Sequence, residues 1–315
     1  MPESVDEAVD PAFAALLADR RMALRRPPPE LPIEIIRAAA NSFMASAVGP
    51  PVKEVFDLLV EGPGGRLPIR IYLPSDAPTL PVILFCHGGG FAFGNLDTHD
   101  AMCRTLAVSA RAAVVAVDYR VAPDWPFPAA LDDCAAALAW IRTSGAQHRL
   151  DATRLAIAGD SAGGQLAIAT ALSSRSIAHL ALLYPMLDPH RASASIRDFG
   201  EGFMLTESFL EWAWEVYQGN ASAPADPRFD LNLADLTGFP DTTVVTAALD
   251  PLRDEGEAFA DRLASAGVAI DTRRFAGMIH GFAGMSHLTP VANEAIGYVG
   301  HRIAASFGDI ATASK

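Results

Sequence analysis

The chain has 315 residues, 50% of them hydrophobic and 19% charged, and its 37 acidic residues against 24 basic ones give a formal charge of −13. This length supports one large α/β domain with a lid, or two domains, around a sizeable core. The acidic balance argues against a nucleic-acid-binding role and disfavours anionic membranes and anionic substrates.

Cys86, Cys103 and Cys134 contain no Cys-x-x-Cys spacing, which argues against a disulfide framework or a structural zinc site and fits a reducing, cytoplasmic setting. Glu3, Asp6, Glu7 and Asp10 stand where a secretion signal would be basic and then apolar. No run of about 18 apolar residues occurs, so neither export by that route nor membrane insertion is expected.

From the N-terminus, Val5, Val9, Phe13, Leu16, Leu17 and Leu24 recur at helical spacing, predicting an amphipathic helix that ends at Arg25-Arg26-Pro27-Pro28-Pro29. A second helical pattern runs from Ile33 to Ala47, and residues 1–48 together read as N-terminal cap helices. Alternation over Val52–Val60 and Leu67–Tyr72, joined by Gly62-Pro63-Gly64-Gly65, predicts an antiparallel hairpin at one sheet edge. Strands are then expected at Val82–Cys86, Ala113–Val117, Arg154–Ala158, Leu180–Tyr184, Thr242–Ala247 and Ala269–Phe275. Helices fall between and after them, around Thr98–Ser109, Ala129–Arg142, Ala162–Ser173, Arg253–Ala266 and Thr289–Ala305. This alternation predicts an α/β fold with a mostly parallel eight-stranded sheet covered on both faces. Residues 188–235 interrupt the pattern and are expected to form a cap insertion, leaving 49–187 and 236–315 as the catalytic domain. The aromatic residues of the insertion serve a lid or ordinary packing, and the spacing is compatible with both.

The chemistry converges on Leu155–Gly164, where an apolar run meets Gly159-Asp160-Ser161-Ala162-Gly163 and a helical pattern follows, the layout of a nucleophile elbow. A serine needs a base, a group to orient that base, and donors for the oxyanion. His87-Gly88-Gly89-Gly90 follows directly on a predicted strand, so Gly88, Gly89 and Gly90, with Ala162 at a helix N-terminus, are the candidate donors. His87 reads as a residue that orders this loop. His280 follows the last predicted strand and is the preferred base; His99, near the glycine loop, has no assigned role. Asp250, ending Thr242–Asp250, is the preferred orienting acid, with Asp188 as its rival one strand earlier. Asp254 and Glu255 are expected to suit the dipole of the next helix.

These blocks together resemble the α/β-hydrolase fold and, within it, the hormone-sensitive-lipase-like esterases of bacterial family IV. The resemblance rests on His87-Gly88-Gly89-Gly90-Phe91, Tyr119-Arg120-Val121-Ala122-Pro123 with Phe127-Pro128-Ala129, Gly159–Gly164, Asp250–Glu255 and His280-Gly281-Phe282, in order over about residues 80–285. It implies a Ser161, Asp250, His280 triad that hydrolyses short- to medium-chain acyl esters of small molecules without metal or cofactor. Asp160 resembles the Gly-Asp-Ser-Ala-Gly subgroup, whose members often dimerise through the last strand, here Ala269–Phe275. Ala92 and Asn95 depart from the family's usual residues, which puts the shape of the pocket in doubt. Phe91, Phe203, Phe209, Trp212 and Phe282 are the candidates to close that pocket. The same triad could serve amides, lactones or aryl-formamides, and a receptor reusing the pocket would tend to lose the base that His280 supplies.

Overall fold

The structure, a computed structural model, describes residues 8–174, 176–220 and 225–308. The alternating apolar residues after Pro51 form β1 (Glu54–Gly62) and β2 (Gly65–Leu73), antiparallel with Gly62 opposite Gly65, so Pro63 and Gly64 alone make the turn. β2 also runs antiparallel to β4 (Ala113–Val117), while β3 (Leu80–Cys86), β4, β5 (Leu150–Asp160), β6 (His179–Leu183), β7 (Thr242–Leu249) and β8 (Ile270–Ile279) are mutually parallel. The order β1-β2-β4-β3-β5-β6-β7-β8 places the hairpin at one edge and β8 at the other.

Continuous apolar runs in the central strands point alternately to two cores. Val82, Leu84 and Cys86 face the core under α4 (Ala129–Ser144), α5 (Ala162–Leu172) and α8 (Arg253–Ser265); Ile83 and Phe85 face the core under α3 (Asp100–Ala110) and α9 (Val291–Ser306). α5 buries all its residues from Ala162 to Ala171, which explains its run of small and aliphatic side chains. Its first turn passes beneath the end of β3. A Cβ on Gly163 would fall inside contact distance of the Cys86 and His87 carbonyl oxygens, and one on Gly159 would strike the Gly163 carbonyl. Gly164 lies against Pro185, whose Cβ would be 2.7 Å from an added methyl.

The first predicted helix is not continuous. Its described part consists of a 3₁₀ turn at Pro11–Phe13, the short α1 (Ala14–Ala18) and a second 3₁₀ turn at Arg20–Met22; Val5 lies outside the described residues. Asp10 and Asp19 each accept a backbone N–H two residues ahead and so begin new turns, which breaks the helical run despite its apolar spacing. The second pattern forms α2 (Ile33–Met44) and ends three residues early, where the Ser46 hydroxyl donates to the Phe43 carbonyl at 2.7 Å.

Residues 188–235 contain α6 (Ala194–Phe199) and α7 (Glu207–Gln218). They are joined to the N-terminal stretch by a parallel bridge, with Leu24 N–H donating to Met204 and Thr206 N–H to Leu24. Arg25 pairs with Glu201 at 2.9 Å and Arg26 with Glu215 at 2.8 Å.

The close passage at Gly163 yields a paired prediction. Gly163→Ala should lose more than about 2 kcal/mol, because the added methyl meets the fixed backbone of Cys86 and His87. Gly297→Ala, in α9 with nothing within 4 Å, should gain about 0.5–1 kcal/mol. Chemical denaturation of both variants reads the difference, and equal stabilities would contradict the packing described.

Candidate active site

Ser161 stands between β5 and α5 with φ +52° and ψ −125°, a conformation that costs a non-glycine residue roughly 1–3 kcal/mol. Its backbone is held on both sides. The Ser161 N–H donates to the Leu183 carbonyl at 2.9 Å, and its carbonyl accepts the Gly164 and Met186 N–H groups at 2.9 and 3.0 Å. The elbow thus projects Oγ from the carboxyl end of the sheet.

His280 Nε2 lies 2.9 Å from Ser161 Oγ, and its Nδ1 lies 2.8 Å from Asp250 Oδ2. A carboxylate can only accept, so Nδ1 carries the proton and Nε2 faces the serine hydroxyl as acceptor. Asp250 is fully buried, and its other oxygen accepts the Leu252 N–H at 2.9 Å. The edge of Tyr184 lies against the His280 ring at a centroid distance of 5.0 Å. β8 runs to Ile279, four residues beyond the predicted strand end at Phe275, through an irregular pairing with β7, so the imidazole stands directly at its end. Asp188 does not reach His280; it closes its own turn by accepting the His190 and Ala192 N–H groups.

The glycine loop faces Ser161 from β3. The N–H groups of Gly89, Gly90 and Ala162 have no acceptor within the chain among the described residues, and Gly89 and Gly90 line the cavity that contains Ser161. Gly88 departs from its expected role. Its N–H donates to Asp160 Oδ1 at 2.8 Å, so it anchors the loop and is not free for an oxyanion. The reason is packing: a Gly88 Cβ would meet Asp160 Oδ2 at 2.5 Å, which leaves the carboxylate seated directly on the backbone.

Asp160 is buried with His99 Nε2 at 3.3 Å. Burial pushes its carboxyl upward, but the His99 ring and the Gly88 N–H outweigh that and hold it below the ordinary carboxylate range. His99 is therefore a site residue that its position in the sequence left unassigned. The only signal available was its place at the N-terminus of the helix following the glycine loop. His87 stacks on Tyr119 at 4.1 Å, and its Nδ1 donates to the Gly88 carbonyl at 2.8 Å; the Tyr119 hydroxyl donates to the His87 carbonyl at 2.6 Å. Burial, reinforced by His99, drives the His87 imidazole down to about 3, so it is neutral at physiological pH.

Glu255 stands in the first turn of α8, as expected, and has a second role. It is also buried under the loop after β6, where it accepts the Leu187 N–H at 2.6 Å and burial raises its carboxyl well above the usual range.

The cavity over Ser161 measures about 710 Å³. Of the five aromatic pocket candidates, only Phe209 lines it. Phe91 stacks on Tyr217 at 3.8 Å in the core, Phe282 packs on Tyr184 and Phe275, Phe203 on Phe199, and Trp212 on Phe93 and Phe209. Those rings satisfy one another and brace the walls from behind. The wall itself is mostly aliphatic, with Leu31, Ile35, Ile36 and Met44 from the N-terminal stretch, Leu205 and Leu210 from the insertion, and Met102, Met186, Met204 and Met285 around the serine. Among the described residues, no group of three or more potential metal-ligating side chains occurs, and no helix is long and apolar enough to cross a membrane.

A strand-nested serine elbow, a buried Asp–His–Ser chain of hydrogen bonds and a glycine loop beside it define a serine hydrolase on an eight-stranded α/β sheet. A family profile for the alpha/beta hydrolase fold matches residues 83–284, and the chain belongs to that family. It is 38% identical over 276 residues to the esterase LipI of Mycobacterium tuberculosis, covering 84% of this chain and 85% of that one. It is 35% identical over 256 residues to an arylesterase of Saccharolobus solfataricus, covering 79% and 84%. Among solved structures, an ester hydrolase from the metagenome of Lake Arreo, complexed with a bipyridine phosphonate derivative, superposes with a TM-score of 0.89 at 38% identity over 96% of this chain and 100% of that one. An esterase of the archaeon Pyrobaculum calidifontis superposes with a TM-score of 0.87 at 32% identity, covering 95% and 98%. These relatives agree with the resemblance to hormone-sensitive-lipase-like esterases.

Neutral, buried His87 has a consequence for acid stability. Its unfolded value is near 6.5 and its folded value about 3, so between these pH values the unfolded chain binds the extra proton. Stability should therefore be full above about pH 6.5 and fall as pH drops, by up to about 1.4 kcal/mol per pH unit from this group. Buried His179, lowered to about 4, adds in the same direction. His87→Asn should flatten the slope of stability between pH 4 and 6 in urea titrations, and an unchanged slope would contradict the assignment.

Proposed function

We propose that the chain hydrolyses uncharged carboxylic esters of short- to medium-chain acids through an acyl-enzyme. The observation that carries this is the continuous Asp250–His280–Ser161 hydrogen bonding at the floor of a mostly aliphatic cavity. His280 takes the Ser161 proton as Oγ attacks the ester carbonyl, while Asp250 keeps the imidazole in the correct tautomer and stabilises its charge. The N–H groups of Gly89, Gly90 and Ala162 receive the developing oxyanion, each worth on the order of 3 kcal/mol. His280 then protonates the departing alcohol. Water, activated by the same base, attacks the acyl-enzyme and releases the acid with Oγ reprotonated.

An apolar wall of this size favours substrates without charge on either side of the ester, since an unpaired ion there would be desolvated. Residues 8–48 and 188–235 act together as the cap, because the Leu24–Leu205 bridge and the Arg25 and Arg26 ion pairs tie them into one cover. The three cysteines are buried and free, in keeping with a reducing, cytoplasmic location. β8 forms a sheet edge, as pairing of two copies through the last strand would require.

Ser161→Ala should lower kcat for p-nitrophenyl butyrate by at least about 10⁴-fold while leaving the thermal midpoint close to that of the parent chain. The parent should be labelled by a fluorophosphonate probe at Ser161, and the variant should not. Undiminished turnover by the variant would remove Ser161 from the mechanism.

A further inference from the structure

The glycine loop is anchored from below by Asp160, but its outer half is completed by the cap. None of the twelve residues of α2 is fully buried, so this helix is seated by a shallow apolar contact through Ile33, Ile36 and Ala40 together with a few directional bonds. Arg37 and Asn41, one turn apart, fall on that same inward face. The Arg37 guanidinium donates from Nε to the Ala92 carbonyl at 2.9 Å and from Nη2 to the Ala122 carbonyl at 3.1 Å and to Asp124 at 2.9 Å. Asn41 Oδ1 accepts the Gly94 N–H at 2.8 Å. Among the described residues, nothing else bonds the Ala92 carbonyl or the Gly94 N–H.

These two contacts grip the trailing arm of the turn whose head presents Gly89 and Gly90. The Gly89 carbonyl accepts the Ala92 and Phe93 N–H groups at 3.1 and 2.9 Å, so Ala92 is bonded to the head directly. Gly94, at φ +91°, lies so close to the head that an added Cβ would be 2.5 Å from the Gly88 carbonyl oxygen. A shift of Ala92 or Gly94 is therefore transmitted to the peptide planes that carry the Gly89 and Gly90 N–H groups. Neither Arg37 nor Asn41 is placed to touch the reacting atoms.

We infer that Arg37 and Asn41 are positioning residues for ester hydrolysis: by bonding Ala92 and Gly94 from the cap helix, they hold the glycine turn with its N–H groups directed at the oxyanion. The inference rests on the esterase reading of the site. It makes seating of α2 part of transition-state stabilisation, beyond its role as a wall of the cavity. A helix that only covered substrate would affect binding, and its variants would change KM; a helix that sets the donors affects the step in which charge develops, and its variants change kcat.

The test uses the full chain and p-nitrophenyl butyrate. Asn41→Leu keeps the volume and removes the acceptor, whereas Asn41→Asp keeps an acceptor oxygen in the same place. Arg37→Met and Arg37→Lys form a second, independent pair. Asn41→Leu and Arg37→Met are expected to lower kcat about 10-fold, less than the 10²–10³ of deleting a donor outright. KM should stay within about twofold, the pH profile should keep its midpoint because Asp250 and His280 are untouched, and fluorophosphonate labelling should slow in parallel. Asn41→Asp should retain kcat within about twofold. Thermal melts identify a variant that does not fold, in which case the other pair decides. A rise in KM with kcat unchanged would overturn the inference, as would an equal loss of kcat in Asn41→Asp and Asn41→Leu. A parent chain that neither turns over ester nor takes the probe would overturn the esterase reading itself, and the inference with it.

Discussion

The close approach of Gly163 to the Cys86 and His87 carbonyls is the constraint on which the rest of the site depends. The sheet order sets β3 beside β5, and only a residue without a side chain lets the first turn of α5 slide under the end of β3. That passage brings two loops from different strands within hydrogen-bonding reach, so that Gly88 N–H meets Asp160 next to the nucleophile. The strained backbone of Ser161 follows from the same geometry. Its cost is offset by bonds from β6 and from the residues just after it, which fix both its N–H and its carbonyl.

The two carboxylates nearest the nucleophile are buried, and both are paired. Asp250 is satisfied by His280 and the Leu252 N–H, and Asp160 by the Gly88 N–H and His99. The two carboxylates have different tasks. Asp250 sets the tautomer of the base, while Asp160 anchors the donor loop. Around them the cavity is walled by aliphatic and methionine side chains, which lower the local dielectric and strengthen the interaction between backbone donors and a developing oxyanion. Methionine, unbranched and polarizable, adapts to acyl groups of different shape more readily than a wall of interlocked rings would. Phe43, Phe93, Tyr184 and Phe209 reach the cavity, while behind the wall Tyr217 stacks on both Phe91 and Phe229.

Much of this is legible in the amino-acid sequence. The alternation of strands and helices, the hairpin at the edge, and the Ser161–Asp250–His280 order all follow from local patterns, because buried parallel strands and glycine-framed turns impose composition directly. What was not legible depended on contacts between distant segments. The involvement of Gly88 with Asp160, the pairing of His99 with that carboxylate and the burial of Glu255 are separated by 61 to 72 residues in the sequence. A one-dimensional pattern assigns such residues a local role, as it did for Glu255 at its helix start. The aromatic candidates failed for a related reason. Ring residues mark the interior of an insertion, but spacing does not tell whether they face a cavity or one another. The first N-terminal helix failed locally: two aspartates could open new turns, and the apolar spacing concealed them.

The glycine turn and the elbow present their N–H groups to one point above Ser161. The most direct measurement is a crystal structure of the chain after reaction with a p-nitrophenyl alkylphosphonate. The expected adduct has a covalent bond from Ser161 Oγ to phosphorus, with the phosphonyl oxygen within about 3.1 Å of the backbone nitrogens of Gly89, Gly90 and Ala162 and Gly88 still bonded to Asp160. An adduct whose oxygen points away from those three nitrogens, or one carried by a residue other than Ser161, would contradict this arrangement.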